Sequence, residues 1–341
     1  MLKVARLLVG ACIAMMAIAA QAQFTLQVTS PVEGGFLGFN NQVKFLISNA
    51  TEETTVKVTA LGPGGPTTIE QKFTPNQDNK IDGSIALNFN ESSPSGAYTV
   101  TVEAHDSSFT VTPVVRNVTV DVTRPKILEF NPIQNGSVKG PTASINVKVL
   151  EVNLKEWRVK IDGNDIPNNT GSTLDGNNSF QVDWNVSGFP TDGNHTISVS
   201  VKDKSENEST QSITVRLDRL PPSISISFPR SDSEVRPNSD FSVVVDVSDP
   251  NGGLVDVTGL DVIIRKLDGT FLFRVPRVNF TSTGSGSFRW TGRVRAKSVK
   301  LPSEFKIVVT GVDRAGNLAL QQEVVIDTSR SRAWRPKSFG R

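Results

Sequence analysis

Two histidines, His105 and His195, and a lone cysteine near the start, Cys12, limit the chemistry open to this chain of 341 residues. A serine–histidine–aspartate triad needs a histidine presented beside a nucleophile, and no Gly-x-Ser-x-Gly elbow accompanies either histidine. His195 follows Gly193 by two residues at the start of an alternating run, a place that asks for an inward-packed ring, and His105 ends its own run beside Asp106. Oxygen ligands are better supplied. Asp203 and Asn207 share one turn, and Asp313 and Asn317 share another of the same spacing. Asp121 and Asp218 end closing strands, and Asp249-Pro250-Asn251-Gly252-Gly253 is an oxygen-rich loop. Hard cations want several oxygens, so the metal chemistry to expect is calcium at Asp203, Asn207, Asp313 and Asn317. The competing reading is turn chemistry, because aspartate and asparagine side chains also bond local backbone in tight turns. No segment reproduces the twelve-residue EF-hand spacing.

Cations gather in two places. After Thr328 come Arg330, Arg332, Arg335, Lys337 and Arg341 with no acid, and Trp334 and Phe339 stand among them. The body before this tail carries a net charge of −5 once the first 22 residues are set aside. Arg330, Arg332, Trp334, Arg335 and Lys337 are therefore a candidate docking segment for an anionic surface. Farther upstream, Arg274, Arg277, Arg293 and Arg295 mix with Phe271, Phe273 and Phe280. That pattern reads either as a solvated strand face or as a polyanion or glycan site.

The elements that must position these groups are strands. Residues 1–22 have the form of a signal peptide: Lys3 and Arg6, an apolar stretch from Leu7 to Ala19, and Ala20-Gln21-Ala22 as a small-residue cleavage site. Removing them takes away Cys12 and leaves equal numbers of basic and acidic residues. Disulfides and cysteine-ligated zinc are then excluded, and neutrality argues against wholesale nucleic-acid binding. No later apolar run is long enough to span a bilayer as a helix. With 37% hydrophobic residues the chain can build packed cores. Apolar residues alternate over short runs punctuated by Pro, Gly, Asn, Asp and Ser, the pattern of an all-β sandwich.

The alternation repeats three times. Gly96 to Asp106, Gly193 to Asp203 and Ser303 to Asp313 are alternating strands that each end at an aspartate. Ser30-Pro31, Asn131-Pro132 and Phe228-Pro229 open the three units. Proline-bearing joints at Thr123-Arg124-Pro125 and Arg219-Leu220-Pro221-Pro222 set the boundaries. The expected organisation is a signal peptide over 1–22, domains over 23–123, 124–219 and 220–328, and a basic tail over 329–341, with about seven strands per domain. Short proline linkers restrict swing, so a semi-rigid rod is expected.

Gly96-Ala97-Tyr98-Thr99-Val100 resembles the Gly-x-Tyr-x-Cys segment of immunoglobulin strand F, with Val100 at the cysteine position. Asp192-Gly193-Asn194-His195-Thr196-Ile197 resembles its longer form, with His195 for tyrosine and Ile197 for cysteine, and Phe305 stands at the aromatic position of the third unit. Asp313-Arg314-Ala315-Gly316-Asn317 is similar to the Asp-x-Ala-Gly-Asn turn of bacterial Ig-like repeats of secreted and surface proteins. The resemblance implies three tandem immunoglobulin-like β-sandwiches acting outside the cytoplasm as stalk, spacer or binding module. The expected function is a non-catalytic structural or adhesion protein, secreted, periplasmic or at the cell surface, that meets protein or glycan at the envelope. The alternative is an accessory carbohydrate-binding protein, with Trp157 or Trp290 exposed to stack on sugar rings.

Overall fold

A computed structural model describes residues 24–236, 238–249 and 259–329. The proposed signal peptide, the loop residues 250–253 and the basic residues from Arg330 onward lie outside the described residues. The rest is three β-sandwiches, each with a separate apolar core.

The first contains β1 (Thr25–Ser30), β2 (Phe36–Leu37), β3 (Asn40–Ser48), β4 (Thr54–Gly62), β5 (Gly65–Phe73), β6 (Lys80–Asn88), β7 (Gly96–His105) and β8 (Val114–Val120). One sheet runs β1-β3-β6 and the other β2-β8-β7-β4-β5. Strict alternation builds the interface: β6 turns Ile81, Ile85 and Leu87 inward, and β7 answers with Tyr98, Val100, Val102 and Ala104. The second sandwich contains β9 (Lys126–Asn131), β10 (Ser137–Val138), β11 (Thr142–Leu150), β12 (Leu154–Ile161), β13 (Asn164–Gly171), β14 (Ser179–Asn185), β15 (Gly193–Asp203) and β16 (Glu208–Leu217). Its sheets, β9-β11-β14 and β10-β16-β15-β12-β13, repeat the first topology strand for strand. That is eight strands where about seven were expected. The extra ones, β2 and β10, are two residues long and pair parallel with the closing strand, too short to display any period.

The third sandwich contains β17 (Ser223–Phe228), β18 (Phe241–Ser248), β19 (Asp261–Arg265), β20 (Phe271–Arg274), β21 (Arg277–Gly284), β22 (Ser287–Val294), β23 (Glu304–Thr310) and β24 (Gln322–Asp327). Here the sheets are β17-β18-β22-β21 and β20-β19-β23-β24. After β20 the chain crosses at Val275-Pro276 to the other sheet and adds β21 as its edge. That crossing, together with the one-turn helix α1 (Ala296–Val299), lengthens the third repeat.

One ring position recurs in all three cores. Tyr98 is buried and its hydroxyl donates to the Pro94 carbonyl at 3.0 Å, while its ring meets Phe89 edge-on. In the second sandwich His195 takes this place, its Nδ1 2.7 Å from the Asp162 carboxylate and its ring against Trp184 and Phe189. Phe305 fills the third position without a polar handle, fully buried and stacked on Phe241. Val100 and Ile197, at the cysteine positions of the immunoglobulin pattern, are completely buried, so greasy contact joins the sheets where a disulfide would. The two tryptophans that a sugar-stacking role would expose are interior. Trp157 lies flat against Phe180 at 4.2 Å and donates to the Thr173 carbonyl, and Trp290 is 3% exposed.

By compactness the chain divides into two units. One holds the residues up to Thr123 together with Lys204–Asn207, and the other holds Arg124–Asp203 and everything from Glu208.

Candidate functional site

The turn after β23 is closed by its own side chains. The Asp313 carboxylate accepts from the Asn317 backbone N–H at 2.8 Å, and the Gly316 N–H donates to the Asp313 carbonyl at 3.1 Å. Gly316 sits at φ +85°, the left-handed region that a side chain disfavours. This geometry aims the Asn317 amide back at the segment that leaves β16. Its Nδ2 donates to the carbonyls of Asp218 at 2.9 Å and Leu220 at 3.5 Å, and to the second Asp313 carboxylate oxygen at 2.8 Å. The Lys139 ammonium donates to the Gly316 carbonyl, tying the second sandwich to the same turn. The linker 218–220 is therefore gripped by main-chain hydrogen bonds to one asparagine.

Three carboxylates meet beside this grip. Asp218 follows β16, Asp249 follows β18 and Asp313 follows β23. All three are buried, and one oxygen from each lies within 4.8 Å of the others. Burial and then the negative charges of Asp249 and Asp313 push Asp218 up to about 6, against the opposing pull of the Leu220 N–H and of Arg216. Such a set has two ways to limit its repulsion: it can keep a proton or hold a hard cation. Three carboxylate oxygens are a fitting partial set for calcium, which takes six to eight oxygens.

In the unit that holds residues up to Thr123 and Lys204–Asn207, Asn207 makes an equivalent grip. Its Nδ2 donates to the carbonyls of Asp121 at 2.8 Å and Thr123 at 3.3 Å. Of the four residues expected to bind metal, Asp313 and Asn317 are brought into direct contact, Asn207 bonds a linker, and Asp203 is fully buried at the end of β15. Both asparagines turn an amide nitrogen, a donor, toward the linker. The oxygens that join Asp313 come from Asp218 and Asp249, outside the expected set of four. They are far apart along the chain, and the local signals were the place of Asp218 at a strand end and of Asp249 at the head of an oxygen-rich loop.

Asp162 and His195 have the base-and-orienter half of a triad, but the arrangement is a packing one. The other ring nitrogen, Nε2, is buried and meets no hydrogen-bonding partner among the described residues. The docking residues Arg330, Arg332, Trp334, Arg335 and Lys337 lie outside the described residues.

Paired sheets with a ring-filled core and an asparagine-closed turn define the chain as a run of tandem immunoglobulin-like sandwiches. Among solved structures it is similar to the fibronectin(III)-like modules of Clostridium thermocellum CbhA, at 16% identity over 57% of this chain and 95% of that one, with a TM-score of 0.35. It is also similar to a Ca2+-stabilised adhesin with which an Antarctic bacterium binds ice, at 15% identity over 90% and 74% of the two chains and a TM-score of 0.32. A third likeness is to a 1.5-MDa bacterial ice-binding adhesin described for host cell surface retention, at 15% identity over 90% and 97% and a TM-score of 0.29. No family model and no curated protein matches the chain.

Proposed function

We propose that the chain is a non-catalytic module of the cell exterior, secreted, periplasmic or surface-held, that spaces or adheres by contact with protein or glycan. The observation that carries this reading is the Asn317 grip. Its polar groups are spent on fastening the linker 218–220, and His195 is spent on ring packing. Effort goes into joints and cores, which suits a load-bearing or spacing role. The basic tail gives a second contact, with an anionic surface. Fractionation of expressing cells tests both points. A product lacking 1–22 is expected outside the cytoplasm, and deletion of 329–341 is expected to lower the salt needed to release it. A precursor retained whole in the cytosol overturns the reading, and identical release profiles remove the tail from it.

We further propose that calcium serves the joint at Asp218, Asp249 and Asp313. Residues 124–329 are expected to melt several degrees higher in millimolar calcium than in chelator, and Asp249→Asn is expected to lose that gain. Equal melting of the unaltered protein in calcium and chelator ends this proposal.

A further inference from the structure

We propose that the third sandwich carries a docking groove for an anionic polysaccharide, with Arg274, Arg293 and Arg295 ranged around Phe273, Pro276 and Val278. This deepens the adhesive reading, and rests on it only for where such a polymer is met.

The groove of about 420 Å³ lies where the chain crosses between sheets, within the span of roughly 300–1,000 Å³ usual for ligand clefts. Phe273 lies on β20 at the edge of one sheet, Pro276 makes the crossing and Val278, 67% exposed, lies on β21 at the edge of the other. Charge here is one-sided. Residues 269–303 include seven Lys and Arg and no Asp or Glu, in a chain otherwise close to balance. Nearby acids answer only some of them: Asp261 meets Arg274 at 2.7 Å, Asp246 meets Arg289 at 2.7 Å and Asp240 reaches Arg293 at 3.6 Å. Arg295 is exposed and has no acidic partner among the described residues. All three rim cations are arginine, whose planar fork matches carboxylate or sulfate with two parallel hydrogen bonds.

The edge geometry chooses a polysaccharide over an acidic peptide strand. Pro276 has no N–H to offer, and the β21 register slips between Arg277 and Asn279. A proline and a bulge at an edge oppose strand addition, so an occupant must be recognised by side chains: the apolar groups and guanidinium groups that line the groove together.

The test uses the full mature chain on immobilised polygalacturonate, dextran sulfate, neutral dextran and polyglutamate. Binding to the two anionic polysaccharides and not to dextran is expected, weakening as salt rises. Arg293→Gln with Arg295→Gln is expected to weaken it at least tenfold without changing the melting temperature, while deletion of 329–341 leaves most of it intact. Absence of binding to both anionic polysaccharides, undiminished binding by the double variant, or complete loss on tail deletion overturns the proposal. Tighter binding to polyglutamate also overturns it, and assigns the groove to acidic protein. Because purified protein is used, these outcomes are read independently of the fractionation result.

Discussion

Asp218→Asn is expected to raise the melting temperature of residues 124–329 at neutral pH in chelator and to flatten its pH dependence. The unaltered Asp218 sits at about 6 in the fold because it is buried beside Asp249 and Asp313, whereas an unfolded aspartate ionises near 3.9. The folded state thus binds the proton more tightly. Its stabilising contribution is complete below about pH 4 and is lost as the pH rises through 6. A difference of about two pK units corresponds to about 3 kcal/mol, and melting shifts by about 2–4 °C per kcal/mol in a unit of this size. The asparagine variant keeps an oxygen for the Leu220 N–H and sheds the charge. Melting curves between pH 4 and 7.5 decide the point. A flat profile in the unaltered protein shows that Asp218 does not hold its proton, and an Asp218→Asn variant less stable than the parent at pH 7 contradicts the account of repulsion.

Gly62→Ala is expected to destabilise the first sandwich by about 3 kcal/mol, at the upper end of ordinary overpacking costs. A Cβ at Gly62 would lie 2.2 Å from Cε1 and Cζ of Tyr98. The ring has little room to yield, since Phe89 packs on it and its hydroxyl is tied to the Pro94 carbonyl. Denaturant unfolding of the variant measures the cost. If Tyr98→Ala in the Gly62→Ala background recovers part of the loss, the clash is with that ring. A loss below 1 kcal/mol would mean that the ring gives way freely.

The sandwich architecture was legible because its signals are local. Alternation in segments such as Ser144 to Leu150, turn residues between them, and the thrice-used strand ending in aspartate all lie within a dozen residues. His195 as a buried ring could be read from its place after Gly193, since the position asks for an aromatic whatever its identity. The alternation around Trp157 and Trp290 favoured burial in the cores over sugar stacking, and both are interior. What alternation missed were β2 and β10, too short for a period, and the crossing of β21 to the opposite sheet, which depends on long-range pairing. The carboxylate cluster was legible only in fragments. Asp313 was visible within its turn motif, whereas its meeting with Asp218 and Asp249 is set by how three strand ends converge, which no spacing along the chain encodes.

In the Asn317 grip the donor side chain comes from the third sandwich, and the acceptors in the linker are the peptide carbonyls of Asp218 and Leu220. Every polypeptide carries such carbonyls, so the grip itself asks for no particular side chain in the connecting segment. Gene duplication therefore carries the grip along with the copy that holds the asparagine, whereas the Lys139 bond and the Asp218 carboxylate must come from the repeat upstream. A copy inserted there brings its own fastener but inherits the rest of the joint from the sandwich before it.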